Sequence, residues 1–187
     1  MARTVIGFTG KMGCGKSTAA KMLQGFGFTR VRFAGPLKDM MACLGLTQDE
    51  IEGHLKEAPC ELLGGKTPRF AMQTIGTEWG RETISRNLWI KAWRRRVDAL
   101  KEYIPVVVDD VRFPNEAEAI KSAGGSIVRI VRGNLHVSSS HPSELMTFDA
   151  DATITNNGTE RDLQEVIRRL SRIDESWIEE NAGIPAA

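Results

Sequence analysis

The segment 10–17, GKMGCGKS, sets Gly10, Gly15, Lys16 and Ser17 in the order glycine, four residues, glycine, lysine, serine, with Thr18 following. That spacing suits the cradling of a polyphosphate. Glycines let the backbone N–H groups around Gly13, Cys14 and Gly15 converge on phosphate oxygens, and a helix opening at the end of the loop directs partial positive charge at the same anion. Lys16 would reach the β- and γ-phosphates of a nucleoside triphosphate, and the Ser17 hydroxyl would ligate Mg²⁺. ATP and Mg²⁺ are the expected cofactors, and Cys14 reads as a small loop residue with no redox task.

A phosphate site of this kind also needs a carboxylate at the carboxyl end of another central strand. Asp109 and Asp110 end the run IPVVVDD at 104–110. Strand alternation points them to opposite faces, so one of the two is expected to face the metal. If the acceptor is itself phosphorylated, it needs its own cationic clamp, because two polyanions must be brought together against repulsion. Lys38, Lys66, Arg69, Arg81, Arg112, Arg129 and Arg132 are the candidates, while Arg94, Arg95 and Arg96 read as the exposed face of a helix. Trp79 and Trp89 suit either stacking on a base or a place in the core. His54, His136 and His141 stand apart and match no nucleophile or metal pattern.

The elements that must position these residues are legible from periodicity. Residues 4–9 are apolar and β-branched and run into the glycine loop, and 17–24 follow with helical spacing: strand, loop, helix. Further strands are expected at 29–33, 104–110, 126–131 and 151–155. Helices are expected from Pro36, from a Thr47 and Glu50 capping box to about Lys56, over 68–84 with Gly76 and Gly80 weakening it, over 89–103, 114–123, and from Arg161 to Leu170 or beyond. Alternating strands and helices predict an α/β fold of three α/β/α layers on a mostly parallel sheet of about five strands. One domain over 1–187 is expected, with a helical insertion at about 35–103 and a lid-like polar segment at about 132–149.

Composition sets outer limits. Of 187 residues, 41% are hydrophobic and 26% charged, which fits one ordinary globular domain. Lys and Arg total 25 against 24 Asp and Glu, a net charge of +1, so no long polyanion is expected as partner and any anion binding must be local. Three widely spaced cysteines suit a reducing, cytoplasmic setting, and no apolar run approaches the length of a membrane span. No nucleic acid and no membrane are therefore expected as partners. The 89–103 region reads equally as a homodimer face and as a helix packed within the monomer.

Several segments together resemble the phage deoxynucleoside monophosphate kinase family of P-loop kinases. They are GKMGCGKST at the loop; RFAGPLKDMM at 32–41; PRFAMQTIGTEWGRETISRNLWI at 68–90; VVVDDVRFPNEAEAI at 106–120; and ITNNGT at 154–159. The resemblance covers nearly the whole chain, and its middle segments are more specific than the loop. It implies an enzyme that phosphorylates deoxynucleoside monophosphates from ATP with Mg²⁺, in the host cytoplasm if the chain is viral. It implies that Arg69, Gln73 and Arg81 belong to the acceptor site, with Lys38 near the acceptor or transferred phosphate; beside it, Trp79 and Gln73 are the candidates to pack where a 2′-hydroxyl would project and so select a deoxyribose. It favours Asp110 and Arg112 at the strand end, makes Arg132 a lid arginine, and sets Asn157 and Gly158 against the adenine. Two alternatives stand beside it: a kinase resembling dephospho-coenzyme A kinase, with its NNG-like late loop, and a nucleotide-dependent switch. Against the switch, no Asn-Lys-X-Asp guanine-reading motif occurs, and 68–90 would be left unexplained.

Overall fold

Five parallel strands form one sheet in the order β2-β3-β1-β4-β5: β1 (Val5–Thr9), β2 (Thr29–Arg30), β3 (Val106–Val108), β4 (Ser126–Val131) and β5 (Ala152–Thr155). The computed structural model describes residues 3–133 and 147–171. Every residue of β1 and β3 is buried, as a central pair of a parallel sheet requires. β1 pairs with β3 through Gly7 and Val108 and with β4 through Thr9 and Arg129, so the loop leaving β1 opens between the ends of its two neighbours.

One face of the sheet is covered by α1 (Lys16–Gly25) and α7 (Glu160–Leu170). Ala19, Ala20, Leu23, Leu163 and Ile167 pack there on Ile6, Phe8, Val107, Val128 and Ile130. The other face carries α6 (Pro114–Ser122). It approaches so closely that a Cβ on Gly7 would lie 2.6 Å from the end of Ile120. These are the three expected layers. Thr159 caps α7 reciprocally with Asp162, which is why that helix begins where it does.

The chain divides into two compact units, Met1–Arg32 with Val97–Ala187, and Phe33–Arg96. The sheet belongs to the first. The second is helical: α2 (Gly35–Cys43), α3 (Gln48–Ile51), 3₁₀ turns at His54–Glu57 and Glu61–Leu63, α4 (Pro68–Thr74), a π-helix at Ile75–Ile84, and most of α5 (Leu88–Asp98). Leu37, Met41, Leu46, Ile51, Met72 and Trp89 form its core. The expected Thr47 and Glu50 capping box is present, but its helix stops at Ile51 and not near Lys56. The helix expected over 89–103 ends at Asp98.

The largest local departure from expectation is the π-helix, which continues α4 where one 3.6-residue period was expected. Its cause lies in the two glycines that weaken an α-helix here. Gly80 has the Trp89 ring against it, 2.6 Å from where a Cβ would stand, and the Trp89 indole N–H donates to the Gly76 carbonyl at 2.8 Å. The wider turn makes room for the indole, and the indole satisfies a carbonyl of the widened turn. Trp89 is thus a core residue, 5% exposed, whereas Trp79 is 42% exposed.

The lid-like segment at 132–149 falls mostly on 134–146, outside the described residues, as do His136, His141 and the end of the chain from 172. Among the described residues no helix is long and apolar enough to cross a membrane.

Candidate active site

The loop after β1 is shaped by glycine at the points where a side chain has no room. Gly10 has φ +139°, and a Cβ there would lie 2.2 Å from the Ile130 carbonyl oxygen. Gly13 and Gly15 also have positive φ, and a Cβ on Gly15 would meet the Asn156 amide at 2.5 Å. Gly15 caps α1 without a side-chain hydrogen bond, and the first turn holds no acid. The first-turn N–H groups and the positive end of the helix dipole are therefore directed at an anion by construction.

Lys16 opens α1 and is buried, its ammonium donating to the carbonyls of Gly10 at 2.6 Å and Lys11 at 2.8 Å. The charge is thus held over the concave side of the loop by backbone oxygens. Cys14 is buried under it, Sγ 3.7 Å from the ammonium, and its carbonyl accepts from the Asn156 side chain at 2.9 Å. Thr18 is half-buried in the first turn.

Asp109 immediately follows β3 and is 4% exposed. Its Oδ2 accepts from the Ser17 hydroxyl at 2.9 Å, and its Oδ1 accepts from Arg30 Nε at 2.8 Å. A second nitrogen of the Arg30 guanidinium bonds Oδ2, completing a two-pronged clamp. Strand order explains the meeting: β3 lies between β2, which ends in Arg30, and β1, which leads to Ser17. Burial works to raise the Asp109 pKa, but Arg30, Ser17 and the charge of Arg32 together outweigh it and hold the carboxyl below its ordinary 3.8. The resemblance favoured Asp110 as the metal-side acid; of the two, Asp109 is the one whose carboxylate accepts from the Ser17 hydroxyl. After three buried valines the alternation turns Asp109 toward the phosphate loop, and Asp110 leaves the strand half-buried.

The loop behind Asp110 is pinned by Glu116, which is 2% exposed and accepts from the backbone N–H of Arg112 at 2.8 Å and of Phe113 at 3.1 Å. Asn157 and Gly158, expected against the adenine, lie at the end of β5: Asn157 accepts from the Gly133 N–H at 2.7 Å, and Gly158 lies against Asp162. Arg132 is exposed just past β4.

In the helical unit, Lys38 on α2 pairs with Glu52 at 2.8 Å, and Arg69 on α4 pairs with Glu57. Lys56 stands in the same charge cluster. Burial pushes its ammonium down to about 8, the positive charges of Lys38 and Arg69 push the same way, and Glu52 and Glu57 oppose them. Gln73 lies one turn beyond Arg69 on α4, half-buried, and Arg81 is half-buried on the π-helix. Trp79 packs beside Trp89 with ring centroids 6.5 Å apart.

Three residues of these clusters carry no mark in the sequence motifs. Arg30 sits in a two-residue strand, Asn156 is the first asparagine of NNG where the second drew attention, and Lys56 follows a helix that ends early. For Asn156 a signal existed, since alternation from Ile154 puts it on the buried face.

The family model described as deoxynucleotide monophosphate kinase matches residues 66–167. A protein of Acanthamoeba polyphaga mimivirus, by name a deoxynucleotide monophosphate kinase, is 34% identical over 172 residues, covering 83% of this chain and 89% of its own length. The deoxynucleoside-5'-monophosphate kinase of Escherichia phage T5 is 31% identical over 85 residues, 42% of this chain and 34% of that protein. Among solved structures, TT1252 from Thermus thermophilus superposes with a TM-score of 0.50 at 15% identity, over 91% of this chain and 97% of that one, a likeness of fold alone.

Proposed function

This chain belongs to the deoxynucleotide monophosphate kinase family, and from that premise we propose that it transfers the γ-phosphoryl group of ATP to a deoxynucleoside monophosphate, giving the diphosphate. The observation that carries the donor half is the convergence of Lys16, Ser17 and Asp109 around the glycine loop. A hydroxyl and a carboxylate are hard oxygen donors suited to Mg²⁺, which keeps several waters and takes its remaining ligands from phosphate. Bound there, Mg²⁺ would neutralise charge on the β- and γ-phosphoryl oxygens. Ser17 and Asp109 would hold the metal, Lys16 would bond the transferring phosphoryl group, and the loop N–H groups would bond the phosphates that remain. The acceptor's phosphate dianion is already a competent nucleophile. Positioning and charge neutralisation therefore carry the rate, and no general base is required.

On the acceptor side we assign Lys38, Lys56 and Arg69 to the acceptor phosphate, with Gln73, Trp79 and Arg81 toward the nucleoside. Asp110 and Arg112, in the loop after β3, act on the acceptor, and Arg132 serves the lid. The reading is tested with all four deoxynucleoside monophosphates, their ribose forms and dephospho-coenzyme A, by coupled detection of ADP. Turnover on deoxynucleotides is expected. Turnover on dephospho-coenzyme A with none on deoxynucleotides would overturn the acceptor assignment and leave the donor half standing.

The lowered Lys56 pKa gives this assignment a pH signature. Below about pH 8 the ammonium is charged, and a phosphate dianion favours that form. As pH rises through 8 the free protein loses the proton, binding must recapture it, and the acceptor KM should climb. Lys56→Met should raise KM roughly tenfold near neutral pH, the scale of one charged hydrogen bond, and abolish the alkaline rise. A Lys56→Met profile that still climbs above pH 8 would remove Lys56 from the acceptor site.

A further inference from the structure

Arg30 has no place in the reaction as described, yet it makes the closest charged contacts in the donor site. It ends β2, its Nε lies 2.8 Å from Asp109 Oδ1, and one terminal nitrogen both bonds Asp109 Oδ2 and stands 3.5 Å from Ser17 Oγ. The Asp109 side chain is 3% exposed and that of Arg30 19%. The guanidinium therefore faces the same two oxygen donors, Ser17 and Asp109, that a divalent cation would use. Both carboxylate oxygens are already engaged, and the Ser17 proton points at one of them.

We propose that Arg30 is an internal counter-ion that stands in for the divalent cation in the nucleotide-free protein, so that binding of the metal–nucleotide complex requires Arg30 to give up part of its hold on Asp109. The proposal rests on the assignment of Ser17 and Asp109 to Mg²⁺. Its logic is one of charge: a carboxylate this deeply buried is unstable without a positive partner, and a cation and a guanidinium on the same carboxylate repel each other. Arg30 thus keeps Asp109 ionised and aimed before the metal arrives, and lowers the metal's affinity in exchange. Arg32, whose charge also acts on Asp109, is a weaker contributor.

The test measures Mn²⁺ binding by electron paramagnetic resonance in the presence of saturating ADP, in the wild-type chain, Arg30→Gln, Arg30→Lys and Asp109→Asn. ADP binding without metal and thermal unfolding without ligand are measured alongside. Arg30→Gln should bind Mn²⁺ about tenfold more tightly, melt at a lower temperature without metal, and gain more from Mn²⁺ with ADP than the wild type does. Metal-free ADP binding should be unchanged. Arg30→Lys keeps the charge but loses the two-pronged clamp, so a smaller tightening is expected, and it carries the test if Arg30→Gln does not fold. Unchanged or weaker Mn²⁺ binding in the arginine variants, with Asp109→Asn weakened, overturns the counter-ion and leaves the metal site intact. If Asp109→Asn binds Mn²⁺ normally, the metal assignment itself falls. Loss of metal-free ADP affinity in Arg30→Gln would make Arg30 a phosphate ligand and also overturn the proposal.

Discussion

Replacing Lys16 by alanine should lower phosphoryl transfer by about 10²–10³-fold, the range seen when one preorganised donor to developing charge is removed, and the fold should persist. The ammonium is held over the loop by the carbonyls of Gly10 and Lys11, so it stands ready for a phosphate without first being ordered. Little of the core depends on it, because the residues that pack α1 on the sheet are Ala19, Ala20 and Leu23. Single-turnover transfer and far-ultraviolet circular dichroism check both halves of the expectation. Near-normal turnover in a folded Lys16→Ala protein would rule out the mechanism.

Asp109→Asn should cost more than activity. It removes the charge that pairs Arg30, in a side chain 3% exposed, and breaking a buried pair from one side costs about 3–5 kcal/mol. The lower end applies, since Arg30 retains 19% exposure. Turnover should fall at least about 10²-fold with a steeply raised Mg²⁺ requirement, by the loss of a charged metal ligand. Asp110→Asn should leave the Mg²⁺ requirement as it was. Urea unfolding and Mg²⁺ titrations of ADP release separate the two acids. If the Asp110 variant, and not the Asp109 variant, shifts the Mg²⁺ requirement, the metal assignment fails.

The choice between those acids shows where sequence reasoning stops. Five strands, the loop and the helix after it could be read directly, because β-branched runs, glycine spacing and helical periodicity are local signals. That only one acid turns toward the phosphate loop followed from strand alternation. Which one depends on where β3 ends, and a boundary error of one residue exchanges the faces. Arg30 was invisible for another reason: its significance comes from β2 lying beside β3 although 75 residues of chain separate Arg30 from Val106. The π-helix was hidden because its cause, an indole packed on Gly80, comes from a residue nine positions later. Gly76 and Gly80 showed that an α-helix was disfavoured there, but nothing local showed what replaced it. In the charge cluster of the helical unit, Lys38 and Arg69 were two of seven candidate cations that only the resemblance singled out, and Lys56 came from the electrostatics of a short turn.

The hydrogen bond from Asn156 to the Cys14 carbonyl joins positions 142 residues apart. During synthesis the glycine loop leaves the ribosome before its brace, which follows on the order of ten seconds later at ordinary elongation rates. For much of that interval β1 also lacks both of its sheet neighbours, β3 and β4. The nascent chain therefore carries the phosphate-binding sequence long before it has the phosphate-binding shape. Nucleotide affinity should appear as a late, single event, once β5 has been made.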